Sequence, residues 1–140
     1  MWNKRSAENQ PGVPSQSSRS APVALLVDDT SDNRDMYGEM LRYGGYAVLE
    51  AADGLDALAV TVAELPNIIV MDICMPRMDG WEAIRRLRAD PRTASIPVVA
   101  LTAVGWNAGA AGMECEAFLV KPCLPIDLLG VLDTLLARAQ

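Results

Sequence analysis

After residue 22 the chain falls into short apolar runs separated by stretches of helical spacing. The runs are residues 23–27 (VALLV), 46–49 (YAVL), 68–71 (IIVM), 97–101 (PVVAL) and 118–120 (FLV). Apolar runs of this length without polar alternation predict strands buried on both faces. Met36, Tyr37, Met40 and Leu41 share one helical face, with Thr30 or Ser31 as N-cap and Gly44-Gly45 as the stop. Leu55, Leu58, Ala59 and Val62 predict a second helix, closed by Pro66. Asp79-Gly80 turns the chain into a third carrying Trp81, Ile84 and Leu87, and Ile126, Leu129, Leu132, Leu135 and Leu136 predict the last. Strands alternating with helices over short links imply a parallel sheet covered on both sides, with a five-stranded doubly wound sheet as the expected architecture.

Such sheets gather their ligands outside the carboxyl ends of the strands. The residues at those ends are Asp28 and Asp29 after the first strand, Asp72 after the third, Thr102 after the fourth and Lys121 after the fifth. An acid directly after a buried run belongs at the strand tip, because an unpaired charge inside the sheet is costly. Three carboxylates brought close together repel by several kcal/mol per pair, roughly, so a proton or a metal must settle among them. Oxygen donors without Cys or His favour a hard cation, Mg2+ before others. With an added ammonium and hydroxyl, the set suits a phosphoryl group carried on a carboxylate nucleophile.

Composition narrows the alternatives. The 140 residues suffice for one domain, and 51% hydrophobic with 21% charged is a globular balance. The absence of histidine excludes His-based triads, the usual catalytic zinc sites and a histidine phosphodonor within this chain. Cys74, Cys115 and Cys123 follow no metal or redox spacing, which predicts reduced thiols in a cytoplasmic protein. No apolar run approaches the roughly 18 residues of a membrane span, and the polar N-terminus does not resemble an export signal. The net charge of −6 argues against nucleic acid as a direct partner. Residues 1–20, rich in Ser, Pro, Asn and Gln, predict a disordered leader of net charge +2, leaving −8 on residues 21–140.

Four blocks, "LLVDDTSDNRDM", "IIVMDICMPRMDGWEAIRRLR", "IPVVALTA" and "FLVKP", occur in order. Together they resemble the receiver domain of a bacterial response regulator, in particular the single-domain regulators with a CheY-like fold, over residues 22–138. The resemblance implies an α/β, flavodoxin-like fold with strand order 2-1-3-4-5 and a receiver domain spanning residues 21–140. It implies that Asp72 is the phosphoacceptor, that Asp29 ligates Mg2+ directly and that Asp28 helps, often through water. The backbone carbonyl of Cys74 would complete the protein's share of the coordination. Lys121 would pair with the phosphoryl group, its bond to Pro122 being cis in many relatives. Thr102 and Phe118 would be the hydroxyl and aromatic that move on phosphorylation. The implied partners are a sensor histidine kinase or histidine phosphotransfer protein as donor and an unspecified downstream protein. The chain would catalyse only its own phosphorylation and dephosphorylation.

Between Thr102 and Lys121 the sequence is shorter than the family pattern and contains Gly105, Gly109 and Gly112, each unfavourable in a helix. This predicts a short or irregular fourth helix, with Trp106 and Met113 either exposed or folded inward. Arg85, Arg86 and Arg88 predict a solvated helix face. Cys74 stands where the family tunes access of attacking water. With no DNA-binding domain after the last helix, output through another protein is expected. A phosphorylation-independent interaction module with the same fold is the alternative. A small phosphohydrolase of the haloacid dehalogenase type ranks last, because its second Asp would fall at Cys74.

Overall fold

The computed structural model describes residues 21–75, 78–102 and 115–139. The elements are β1 (Val23–Val27), α1 (Ser31–Tyr43), β2 (Ala47–Ala51), α2 (Gly54–Glu64), β3 (Ile68–Asp72), α3 (Gly80–Ala89), β4 (Val98–Thr102), β5 (Ala117–Val120) and α4 (Pro125–Ala139). All neighbouring strands pair in parallel, in the order β2-β1-β3-β4-β5. Every residue of β3 and of β4 is buried, as their unbroken apolar runs require.

The sheet divides the interior into two layers. On one side Leu25, Val27, Ile69, Met71, Val98 and Ala100 pack against Trp81, Ile84 and Leu87 of α3. On the other, Leu26, Val70, Val99 and Leu101 pack against Tyr37 and Leu41 of α1 and Leu128 and Leu132 of α4. Alternate residues of each strand thus serve opposite layers, the period-two geometry of a pleated strand.

Strand positions agree with the sequence pattern to within one or two residues, but three helix faces are rotated. On α1, Met36 is exposed while Tyr37 and Leu41 are buried. On α2, Leu55 and Ala59 point outward, and the buried stripe is Gly54, Ala57 and Thr61. Small side chains bring α2 close to its neighbours: a Cβ on Gly54 would lie 3.0 Å from the Met78 carbonyl oxygen. Thr61 is accommodated because its hydroxyl donates to the Ala57 carbonyl at 2.6 Å. On α4, Leu128 rather than Ile126 enters the core.

The arginines of α3 also divide. Arg85 and Arg86 pair with Glu82 on the solvent side, whereas Arg88 donates to the carbonyls of Ala94 and Ile96 and pairs with Glu116. The latter ties α3 to the segments that enter β4 and β5 rather than forming a solvated face. Thr30 is the N-cap of α1, but its side chain makes no capping bond. The leader at 1–20 and the expected short fourth helix, with Trp106 and Met113, lie outside the described residues.

Candidate functional site

Strand register assembles the site. Val27 of β1 lies opposite Met71 of β3, so the next residue on each strand, Asp28 and Asp72, stand side by side. Asp72 pairs with Leu101, and Thr102 with Val120, which sets Thr102 and then Lys121 one step further along the same rim. The Lys121 amide donates to the Thr102 carbonyl at 2.7 Å and continues that ladder. Adjacent strands are about 4.8 Å apart, so successive strand tips deliver their side chains within contact distance.

Asp28, Asp29 and Asp72 each place a carboxylate oxygen within 4.8 Å of the others. Lys121 bridges two of them, its Nζ lying 3.4 Å from Asp28 Oδ2 and 3.5 Å from Asp72 Oδ2. Asp28 and Asp72 are buried and Asp29 is exposed. The sequence-predicted acids and ammonium therefore meet. Thr102 is buried at the same rim, while Phe118 lies on β5 with 53% of its surface exposed.

Burial pushes the Asp72 carboxyl above the ordinary carboxylate range. Lys121 opposes that shift, the Asp28 charge adds to it, and the Cys74 amide, donating to Asp72 Oδ1 at 3.2 Å, opposes it. Behind the acids lies buried Tyr37, pushed up to about 12 by burial first and by its bond to Cys123, with the Asp28 and Asp72 charges adding. Burial raises the Cys123 thiol as well, so this pair is neutral near pH 7 and the acids and Lys121 set the local charge. The Lys121-Pro122 peptide is cis.

Three carboxylates and one ammonium leave a net charge of −2 in a small, oxygen-lined space. That donor set fits a hard divalent cation, with no nitrogen or sulfur side chain among the clustered ligands.

Sequence reasoning missed two supports. Gly80 opens α3 against β3: its amide donates to the Ile73 carbonyl at 2.9 Å, and a Cβ there would stand 2.8 Å from the Asp72 carbonyl oxygen. Glycine following the Asp79 N-cap was the available signal. The second is Arg34, whose Nη1 donates to the Asp28 carbonyl at 2.8 Å. An arginine in an amphipathic helix gives no sequence sign of such a contact.

Residues 24–133 match the family described as the response regulator receiver domain. The chain belongs to that family. This receiver is 34% identical over 127 residues to the DNA-binding dual master transcriptional regulator RpaA of Synechocystis, covering 85% of this chain and 51% of that protein. It is 37% identical over 112 residues to an uncharacterized 14.6 kDa protein of Leptolyngbya boryana, covering 78% of this chain and 86% of that one. The receiver thus spans about half the length of RpaA, though most of the smaller protein. Among solved structures, it resembles the receiver domain of sensor histidine kinase PA1611 from Pseudomonas aeruginosa, with TM-score 0.75 and 31% identity, covering 84% of this chain and 99% of that one. That structure has a magnesium ion coordinated in its active site cleft. Chemotaxis response regulator CheY4 of Vibrio cholerae gives TM-score 0.75 and 30% identity, covering 82% of this chain and 98% of that chain. No helix among the described residues is long and apolar enough to cross a membrane.

Proposed function

We propose that this receiver takes a phosphoryl group from a phosphohistidine on a sensor histidine kinase or phosphotransfer protein onto Asp72, in a Mg2+-dependent reaction. The observation that carries the reading is the meeting of Asp28, Asp29, Asp72 and Lys121 at one rim, from three separate strand tips. An Asp72 carboxylate oxygen attacks phosphorus as the phosphorus–nitrogen bond to the donor imidazole breaks, and the electron pair returns to the ring nitrogen. Lys121, already within 3.5 Å of the acceptor, moves onto the incoming phosphoryl oxygens and offsets their charge. The cation would be held by Asp29 directly, by Asp28 and Asp72, and by the carbonyl of Cys74. When bound, Mg2+ supplies charge neutralisation and orients the transferring group.

The Thr102 hydroxyl turns toward a phosphoryl oxygen, and Phe118, half in solvent and so not locked by packing, changes rotamer with it. Output passes through protein contacts, and the chain acts catalytically on itself alone. Treatment with acetyl phosphate and Mg2+, followed by intact mass measurement, is the test. Wild type gains one phosphoryl mass, while Asp72→Asn and EDTA-treated wild type do not. An unlabelled wild type would instead favour a phosphorylation-independent interaction module, and persistent labelling of Asp72→Asn would move the acceptor to another carboxylate.

A further inference from the structure

Asp28 has each of its polar atoms engaged. Its amide donates to the Ala51 carbonyl at 3.1 Å, extending the β1–β2 ladder by one residue. Its Oδ1 accepts from the Thr30 amide at 2.9 Å, and its Oδ2 meets Lys121 at 3.4 Å. The remaining atom, the carbonyl oxygen, accepts from Arg34 Nη1 at 2.8 Å. Arg34 is itself anchored: its Nε donates to Glu50 Oε1 on β2 at 3.1 Å, and its side chain is only 19% exposed. Glu50 also lies 3.7 Å from Arg42, so both ends of α1 are tied to the same carboxylate.

The carbonyl of residue 28 and the amide of residue 29 belong to one rigid plane. Holding that carbonyl fixes the rotation of the plane, and with it the direction in which the exposed Asp29 leaves the backbone. We propose that Arg34 is a positioning residue for the cation site: its guanidinium locks the peptide between the two acids and so aims Asp29 at the metal. The fork geometry matters, since one planar group must reach a carbonyl and a carboxylate together, which an ammonium does poorly. Pairing with Glu50 also cancels the guanidinium charge, so the donor is delivered with little net repulsion of a cation.

This inference rests on the Mg2+ reading above, and the sign of the effect separates it from simpler explanations. Deleting a cation near an acidic cluster should by electrostatics alone tighten Mg2+ binding; loss of positioning should weaken it. The experiment is a Mg2+ titration of the full chain, followed by the amide NMR resonances of residues 28–30 and 72–74. Variants are Arg34→Ala, Arg34→Lys, Asp29→Asn and the Arg34→Ala/Asp29→Asn double. Arg34→Ala should weaken Mg2+ by about 10- to 100-fold, the usual effect of removing a group that orients a metal ligand. Arg34→Lys should weaken it too, although the charge is kept.

Because Arg34 acts through Asp29, its removal in the Asp29→Asn background should change affinity by less than about twofold, a non-additivity that general loosening of the fold would not produce. Unchanged or tighter Mg2+ binding by Arg34→Ala overturns the proposal, as does full additivity in the double variant. If Arg34→Ala does not fold, Arg34→Lys decides, an affinity equal to wild type being the overturning result. Wild type that binds no Mg2+ at all contradicts the cation-site reading itself, a result distinct from a normal wild type with an indifferent Arg34 variant.

Discussion

Replacing Asp72 by Asn removes one charge from the cluster with almost no change of shape. The geometry gives the competing energies in the metal-free protein. At an effective dielectric of about 20, the Lys121 contact at 3.5 Å favours the ionised carboxylate by about 5 kcal/mol. Repulsion from Asp28, across no more than 4.8 Å, opposes it by at least about 3.5 kcal/mol, with a smaller, solvent-screened share from exposed Asp29. These nearly cancel, so desolvation of a side chain with 5% of its residue surface exposed decides the sign. That is the sense in which burial leads the upward shift of the Asp72 carboxyl. Asp72→Asn should therefore stabilise the metal-free protein by about 1–2 kcal/mol near pH 7, raising Tm by roughly 3–8 °C.

The pH dependence has a definite direction. A carboxyl raised on folding binds protons more readily in the native state, so its penalty is full above the folded pKa. The penalty fades as pH falls through the folded pKa and is gone below the unfolded one, near 4. The advantage of Asp72→Asn should shrink over that window. Mg2+ should act oppositely, adding about 1.4 kcal/mol to wild type at ten times its dissociation constant and less to a variant missing one ligand. Urea or thermal denaturation with EDTA, and then with Mg2+, measures both. An Asp72→Asn protein that melts below wild type in EDTA at pH 7 refutes the reasoning, for the Lys121 attraction would then outweigh burial.

Gly80→Ala should lose about 1–3 kcal/mol in urea denaturation despite the better helix propensity of Ala, because its Cβ meets backbone at Asp72 and Ile73 that has no room to yield; a stabilised variant would contradict this. Lys121→Ala should slow labelling by acetyl phosphate on the order of 100-fold, read by timed mass measurement, and an unchanged rate would remove Lys121 from the transfer step. Tyr46→Phe should lose about 1–2 kcal/mol, since its hydroxyl donates to Asp133 at 2.7 Å and joins the turn before β2 to α4. Equal urea midpoints for Tyr46→Phe and wild type would show that water replaces that bond without loss.

Strands were legible because each is an unbroken apolar run, and the acids because a charge directly after such a run has few places to go. Helix faces were less legible. Counting large apolar residues selected Leu55 on α2, yet the stripe that packs inward is Gly54, Ala57 and Thr61, since close approach rewards small side chains over greasy ones. The same weighting put Ile126 inside α4 in place of Leu128. Arg34 and Arg88 were unreadable for another reason. Both give hydrogen bonds to backbone carbonyls, and a carbonyl has no letter in the sequence. Their positions in amphipathic helices look identical to those of Arg85 and Arg86, which do face solvent.

The charge of the cluster links the site to the rest of the fold. Three carboxylates and Lys121 sum to −2, which a divalent cation would bring to zero. Converting Asp72 to an aspartyl phosphate would replace one negative charge by up to about two, so the balance would be broken by about one unit. On the proposed mechanism Lys121 would move from Asp28 toward the phosphoryl group, and the Cys74 amide and the Thr102 hydroxyl stand at the same rim as further donors. Thr102 ends β4, which is paired on both sides, whereas Lys121 follows β5, the edge strand among the described residues, paired on one side alone. Asp28 and Asp29, by contrast, follow β1, which is paired on both sides. On the proposed mechanism a charge imbalance at this rim would yield first along β5, which makes the edge that carries Phe118 the surface to test for partner contact.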